Sequence, residues 1–304
     1  MAATGRVDHD NAYEGLIEAD DDARWAFGTS FDDPLAGVDT TVPSGVDAHA
    51  LAVYCLMLAD DSLVLAQRLA EWTTHAPEIE EEVALANIGL DLLGQARLLL
   101  ARAAAADPAV VPTLPEGSPV PADDRLAYFR DADAFRNVGL VAQANGDFAA
   151  TMTRLLVFSA WRLALLERLR TSSDPVLAAV AEKGVKEVRY HREHAARWCI
   201  TLAQGTDVSR ERMIAGLREV WPDVAELGEV HDVERRLPGV AADHAAAFDD
   251  TMGVVDQVLR AAGLGRPDVG QAPGGGRDGR HTESFGVLLA DMQVLAREHP
   301  MGRW

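Results

Sequence analysis

The chain has 304 residues, of which 48% are hydrophobic, so it is long enough to bury a sizeable core. Its formal net charge of −20 disfavours nucleic acid and anionic membranes as partners, because both would repel it. No apolar run is predicted to be long enough to cross a bilayer, and the acidic start of the chain does not resemble a secretory signal. Cys55 and Cys199 lie in helical patterns and are predicted to be reduced core residues. We therefore expect a cytoplasmic protein.

Residues 1–46 differ in composition from the rest of the chain and are predicted to form an acidic N-terminal extension to a helical domain over residues 47–304. The excess of acidic residues is typical of a solvated, disordered tail. However, the extension also contains Trp25, Phe27 and Phe31, whose apolar rings are unfavourable in water. These rings indicate instead an arm that docks on a protein surface, either on its own domain or on a partner.

The apolar pattern predicts a first long helix over residues 47–73 and a second over residues 77–106. The second helix carries two apolar stripes on adjacent faces, which is typical of a helix that neighbours cover on more than one side. One stripe consists of Leu85, Ile88, Leu92, Gln95 and Leu99, and the other of Ile79, Val83, Ala86, Leu90 and Leu93. A single bundle buries only one of these stripes, so the other predicts self-association or a partner subunit.

Proline-rich residues 107–121 predict a long crossover connection between this helix pair and the next. After one or two short helices over residues 126–141, further long helices are predicted over residues 145–170 and 174–205. Smaller helices are predicted over residues 209–227, with a kink at Trp221-Pro222, and over residues 241–262 and 282–298. Because no strand pattern is present, we predict an all-α protein in which four long helices form a bundle and smaller helices surround it.

Three conspicuous patterns receive structural interpretations. The glycines at positions 274–276 lack the preceding strand and the Lys-Ser/Thr ending of a phosphate-binding loop. The acidic run at positions 80–82 lies in the first turn of a helix, where the helix dipole favours negative charge. Arg192 and His194 are predicted to lie on the outer side of the fourth long helix, in solvent or at an interface.

A four-helix bundle with a crossover connection is the architecture of the ferritin-like proteins that bind two irons through carboxylates. In these proteins two helices each give a Glu, and two others each give a Glu-x-x-His pair whose spacing places both ligands on one inward face. Here the second long helix has Leu92 and Gln95 at that spacing, and the fourth has Val188 and His191. The third long helix has no acidic residue in its interior. These vestigial positions predict that this chain holds no metal.

Four segments carry the most distinctive sequence: SLVLAQRLAEWTTHAPEIEEEVALANIGLDLLGQAR (62–97), KEVRYHREHAARW (186–198), GTDVS (205–209) and HTESFGVLLADMQVLAREHPMGRW (281–304). Together, and in this order, they resemble the structural, non-catalytic subunits of the multicomponent phenylacetyl-CoA oxygenase, the 1,2-epoxidase of aerobic phenylacetate degradation. The resemblance extends from about residue 48 to the C-terminus and leaves out the N-terminal extension.

This resemblance implies a ferritin-like fold without an iron site. It implies that a related catalytic subunit holds the di-iron centre and binds phenylacetyl-CoA. A further small subunit and a reductase with FAD, an iron–sulfur cluster and NADPH would complete the complex. The present chain would have no cofactor of its own and would act as a scaffold that holds and orients the catalytic subunit. Leu92, Gln95 and Val188 agree with the loss of the iron site.

In place of metals, Gln95, Arg154, Glu187 and His191 are predicted to form a buried hydrogen-bonded network, because an unpaired buried polar group costs about 1–3 kcal/mol. Two alternatives to the scaffold remain open. One is an independent ferritin-like metalloenzyme that uses Glu187 and His191 with acidic residues elsewhere, although carboxylate-bridged iron usually needs about six ligands. The other is an adaptor with a helical bundle and a docking arm but no link to an oxygenase.

Overall fold

The computed structural model describes residue 35 and residues 37–302. Trp25, Phe27 and Phe31, on which the predicted docking arm depends, lie outside the described residues. The last residues of the extension lie inside them and pack against the hydrophobic core of the helical domain, through Leu35, Val38, Val42 and Val46. The boundary that we place before residue 47 stays a prediction.

Four long helices form a bundle, as the sequence predicts. These are α1 (Ala48–Ala70), α2 (Ile79–Ala106), α5 (Phe148–Leu169) and α6 (Pro175–Gln204). Helix α1 packs along α2, α5 packs along α6, and α2 also contacts α6. The buried apolar residues of all four helices belong to one continuous core, which includes Cys55 and Cys199 as free, buried thiols.

Aspartate caps determine where three of the long helices begin. Asp47, Asp147 and Asp174 each accept a hydrogen bond from the backbone N–H three residues further on, which satisfies a donor that the helix leaves free. Pro175 follows its cap at the first helical position, where its missing N–H is no loss. Helix α2 has no side-chain cap, but the glutamates at positions 80–82 lie in its first turn as expected.

Shorter helices surround this bundle among the described residues, and no strand is present there. They are α3 (Ala122–Tyr128), α4 (Gly139–Ala142), α7 (Asp207–Val220), α8 (Asp232–Arg235), α9 (His244–Ala261) and α10 (Glu283–Glu298). The single kinked helix predicted over residues 209–227 is wrong: α7 ends at Val220, and two 3-10 turns follow. Pro222 lacks an N–H, so the α-helical hydrogen-bond pattern cannot continue there.

The expectation that no apolar run is long enough to cross a bilayer is wrong for three of the long helices. By length and composition alone, α1, α2 and α5 each qualify as a membrane-spanning segment. In α1 and α5 this apolar surface faces protein, since 83% and 94% of their most apolar windows are buried, against 39% for α2. A core helix of a leucine- and alanine-rich bundle is apolar around most of its circumference, which gives it the composition of a membrane helix.

The low burial of α2 reflects the different environments of its two apolar stripes. The residues of the first stripe, Leu85, Ile88, Leu92, Gln95 and Leu99, are at most 3% exposed. The second stripe faces outwards, and Ile79, Val83, Leu90 and Leu93 are 73%, 55%, 64% and 43% exposed. The bundle therefore covers one face of α2 and leaves the other exposed.

Candidate functional site

The two positions that would carry glutamate ligands hold completely buried apolar side chains. Leu92 on α2 and Val188 on α6 are both 0% exposed. Neither side chain has an atom that can bind a metal ion, and both contribute instead to the continuous core. The centre of the bundle is therefore packed with aliphatic side chains at the place where carboxylates would be needed.

His191 lies in this region but forms a pair with an aspartate rather than with the predicted partners. Its side chain is 1% exposed, and its Nε2 lies 2.9 Å from Oδ2 of Asp91 on α2. The side chain of Asp91 is 39% exposed, so this pair spans from the core to the edge of the bundle. The contact fastens α6 to α2 and fixes the orientation of the imidazole.

Gln95 and Glu187 form a second contact between the same two helices. The Gln95 Nε2 donates to Oε2 of Glu187 at 3.1 Å, and Nζ of Lys183 lies 3.7 Å from the other carboxylate oxygen. Burial raises the pKa of Glu187, while the hydrogen bond from Gln95 opposes this effect. Gly184 leaves room for this arrangement, because a Cβ there would lie 3.3 Å from the side-chain amide carbon of Gln95.

A buried arginine that the sequence analysis missed completes the group. Arg162 on α5 is completely buried, and its Nε donates to Oε1 of Gln95 at 3.4 Å. Its two terminal nitrogens have no hydrogen-bond partner among the described residues. Burial lowers the pKa of Arg162 to about 10, and the attraction of Asp61 opposes this, so the guanidinium is charged at neutral pH. The sequence signal was a second arginine within the apolar interior of the third long helix, eight residues after Arg154.

These residues do not fit a di-iron centre. Leu92 and Val188 offer no ligand atom, and the fixed positive charge of Arg162 would repel a metal cation brought close to it. Glu187 and His191 are each engaged with a different side chain of α2. Within the part of the chain that the structure describes, no group of three or more His, Cys, Asp or Glu side chains is arranged to hold a metal ion.

Arg154 is not part of the network predicted for it. One of its terminal nitrogens donates to the carbonyl oxygen of Gln143 at 2.7 Å, and the other donates to Oδ1 of Asn145. Its guanidinium therefore fastens the start of α5 to the segment that precedes it. Arg154 lies two helical turns before Arg162, and it is Arg162 that reaches Gln95.

His194 is not on the outer side of α6 as predicted. It is 8% exposed, and its Nε2 lies 3.1 Å from Oε2 of Glu81, off the direction of a hydrogen bond. Burial lowers the pKa of His194, while the charge of Glu81 opposes this effect. Glu81 therefore has a specific partner in addition to its favourable place in the first turn of α2. Arg192 is half-buried rather than solvated, and it faces α5 and α9.

Two completely buried aspartates form ion pairs on α1, away from Gln95 and His191. Asp60 and Asp61 on α1 are both 0% exposed. Arg130 donates to both carboxylate oxygens of Asp60, at 2.5 Å and 3.0 Å, and Arg277 donates to both of Asp61, at 2.8 Å and 3.0 Å. Two adjacent aspartates in an apolar helix were the available signal, although the sequence does not reveal their partners.

The glycine-rich loop directs its backbone donors at an internal carboxylate. The N–H groups of Gly275 and Gly276 donate to Oε1 of Glu226 at 3.0 Å and 2.8 Å, and that of Gly139 donates to Oε2 at 2.6 Å. Because Glu226 already occupies these donors, the loop acts as a structural clasp rather than as a phosphate cradle.

Comparison with known proteins agrees with the resemblance drawn from the sequence. Residues 38–304 match the family model described as "Phenylacetic acid catabolic protein". The chain is also similar to a subunit of the 1,2-phenylacetyl-CoA epoxidase of Escherichia coli (strain K12), with 41% identity over 258 residues. This match covers 84% of the present chain and 100% of the relative. On both counts, the chain belongs to the phenylacetic acid catabolic protein family.

Proposed function

We propose that this chain is a non-catalytic structural subunit of a phenylacetyl-CoA 1,2-epoxidase complex in aerobic phenylacetate degradation. The observation that carries the proposal is the interior of the α2–α6 contact, where Leu92 and Val188 stand in place of metal ligands and Arg162 adds a buried positive charge. A protein that activates oxygen on two irons needs several inward carboxylates at these positions. The similarity to a subunit of such an epoxidase supports membership in the same kind of complex.

In this proposal the bundle is a ferritin-like scaffold in the cytoplasm, and the chemistry lies in other chains. A related catalytic subunit would hold the di-iron centre and phenylacetyl-CoA, and a reductase would supply electrons through FAD, an iron–sulfur cluster and NADPH. A further small subunit would complete the assembly. Aliphatic side chains exposed on two helices support association with other subunits and self-association: Ile79, Val83, Leu90 and Leu93 on α2, and Val287, Val294 and Leu295 on α10.

Elemental analysis paired with turnover tests the proposal. The chain purified alone from iron-rich cells should contain no stoichiometric iron and should not convert phenylacetyl-CoA. Activity should appear only when the catalytic subunit and reductase are added. Stoichiometric iron in the isolated chain, or turnover without the catalytic subunit, would contradict the scaffold role and favour the independent metalloenzyme that uses Glu187 and His191.

A variant of His191 separates a structural histidine from a ligand. In the reconstituted complex, His191→Ala should leave turnover per assembled complex nearly unchanged, because the imidazole contacts Asp91 and no reacting group. His75→Ala, at an exposed position between α1 and α2, is the matched control. A hundredfold fall in turnover with an intact complex would place His191 in the reaction path and refute the proposal.

A further inference from the structure

A cleft where α5, α6 and α9 meet combines an apolar wall with an excess of positive charge. Its volume is about 240 Å³, below the range of about 300–1,000 Å³ of sites for drug-sized ligands, so it suits a smaller molecule. The apolar wall consists of Leu163 and Ala164 on α5 and Val254 on α9. Three arginines and two carboxylates also line the cleft, so its net charge is positive in a chain whose net charge is −20.

Four of these five charged side chains are paired with each other. Arg168 lies 2.8 Å from Asp250, and Arg189 lies 3.0 Å from one carboxylate oxygen of Glu167. The other oxygen of Glu167 lies 3.0 Å from Arg170, so both of its oxygens are engaged. The excess positive charge of the cleft therefore resides on the fifth side chain.

That fifth side chain, Arg192 on α6, has no counter-charge within the described part of the chain. It makes no hydrogen bond and no ion pair there, although it is half-buried in the cleft. A guanidinium that is partly withdrawn from water without a partner has lost hydration and gained no contact in return. Its planar fork of N–H donors matches a carboxylate through two parallel hydrogen bonds. Arg192 is therefore the group in this cleft that is free to bind an anion.

The surroundings of Arg192 favour an anion with one charge and an apolar body. A single negative charge balances the one arginine that has no partner. A dianion such as phosphate would in addition be repelled by the two carboxylates that line the cleft. The apolar wall suits a ligand whose body is hydrocarbon, because contact with the wall removes apolar surface of both from water. An organic carboxylate meets both conditions.

We propose that the cleft between α5, α6 and α9 is a binding site for a small organic monocarboxylate with an apolar body. Arg192 binds the carboxylate through its guanidinium, and the apolar wall contacts the body of the ligand. The ion pairs of Arg168 and Arg189 keep the neighbouring carboxylates away from Arg192. The cleft contains none of the residues on which the proposed function rests, so this inference does not depend on a role in an epoxidase.

Titration of the purified full chain tests the site, with phenylacetate as the probe and its NMR signals as the readout. A small ligand held by one arginine and one apolar wall should bind with a dissociation constant of about 1 mM. Acetate lacks the apolar body and phenylacetamide lacks the charge. Each should bind at least about tenfold more weakly than phenylacetate.

Variants of Arg192 locate the binding. Arg192→Gln should weaken the binding of phenylacetate at least about tenfold, and it should fold normally because the guanidinium has no partner to lose in the described part of the chain. Arg192→Lys keeps the charge and loses the planar fork, so its affinity should lie between the two. The matched control is Arg197→Gln on the same helix, where the side chain is 67% exposed and paired with Glu193. Its affinity for phenylacetate should equal that of the natural chain.

Three results would overturn the proposal. The first is phenylacetate binding that does not saturate by about 10 mM, tenfold above the expected constant. The second is equal binding of phenylacetamide, which would show that the charge plays no part. The third is an unchanged affinity in Arg192→Gln, which would show that the probe binds elsewhere. None of these readouts involves iron, a catalytic subunit or turnover, so failure here leaves the proposed function standing, and the reverse also holds.

Discussion

The polar groups inside this bundle fall into two regions that differ in how completely they are paired. In the middle of the α2–α6 contact, Gln95 and His191 each make one contact to a carboxylate that remains partly exposed, 19% for Glu187 and 39% for Asp91. On α1, Asp60 and Asp61 are completely buried and each meets an arginine through both carboxylate oxygens. The polar groups around Gln95 and His191, where a bundle of this kind would hold a metal site, are therefore less completely paired than the aspartates of α1.

The origin of the two arginines explains what the stronger pairs do. Arg130 follows α3, and Arg277 lies in the glycine-rich loop before α10, so both belong to segments outside the four long helices. Arg277 also donates to the carbonyl oxygens of Met57 and Arg136, which joins three segments at one guanidinium. A buried ion pair adds little stability over an apolar pair, but its geometry is specific. The α1 region thus fixes how the accessory segments sit on the bundle.

The largest effect should come from breaking a pair in the α1 region. Asp61→Ala leaves Arg277 buried without its counter-charge, so we expect the free energy of unfolding to fall by about 3–5 kcal/mol. Asp250→Ala is the control, because its pair with Arg168 lies at the surface, and we expect a loss below about 1 kcal/mol. Urea unfolding measures both values. Equal losses in the two variants would remove the distinction between the regions.

The second prediction concerns the apolar filling of the α2–α6 region. Leu92→Ala removes a completely buried side chain and should lower the free energy of unfolding by about 2–5 kcal/mol. Leu90→Ala makes the same chemical change two residues away, at a position that is 64% exposed, and should change stability by about 0.5 kcal/mol or less. Urea unfolding of the isolated chain compares the pair. A large loss from Leu90→Ala would show that its face is buried in solution.

The third prediction concerns the polar contacts of the same region. His191→Ala removes one hydrogen bond and leaves a space in the core, so we expect a loss of about 1–3 kcal/mol in the free energy of unfolding. His75→Ala, at an exposed position, should have almost no effect in the same urea titration. A loss as large as that of Asp61→Ala would contradict the conclusion that the polar contact of His191 is weaker than the ion pair of Asp61.

The sequence predicted the four long helices well because their ends depend on local signals. The aspartates at positions 47, 147 and 174 are visible as helix caps, and α1, α2, α5 and α6 begin and end within three residues of the predicted bounds. Leu92 and Val188 were also correctly expected to be apolar members of the core. These predictions need only the helical period and the identity of a few residues.

The missed features depend on contacts between residues that are distant along the chain. Asp61 meets Arg277, which lies 216 residues away, and no local pattern reveals that pair. Arg162 rather than Arg154 reaches Gln95, and only the three-dimensional arrangement of α2, α5 and α6 decides which arginine does so. His194 was assigned to solvent because the helical period places it at the border of the buried stripe, where Glu81 on α2 covers it. Tertiary packing overrides the local pattern in all three cases.

One further buried pair, Glu234 and His244, lies on the α1 side of the bundle, and both of its side chains are titratable. Oε1 of Glu234 is 3.0 Å from Nε2 of His244, and their side chains are only 3% and 2% exposed. Burial raises the pKa of Glu234 to about 7 and lowers that of His244 to about 3. The other carboxylate oxygen of Glu234 accepts the backbone N–H of His231 at 2.9 Å, which a glutamine oxygen can replace. Glu234→Gln therefore removes the titration and keeps the shape.

The smallest predicted effect is a change in how stability depends on pH. Between the ordinary glutamate pKa of 4.5 and about 7, Glu234 binds a proton in the folded chain and not in the unfolded one, so its contribution to stability falls as pH rises. His244 has the opposite effect below its ordinary pKa of 6.5, because only the unfolded chain protonates it there. The two effects nearly cancel in the natural chain.

In Glu234→Gln only the effect of His244 remains. The free energy of unfolding of this variant, minus that of the natural chain, should therefore increase by about 1 kcal/mol from pH 5 to pH 6, measured by urea unfolding. The control is Glu229→Gln, at an exposed position, whose stability difference from the natural chain should not vary with pH. If the difference for Glu234→Gln also does not vary with pH, the raised pKa of Glu234 is contradicted.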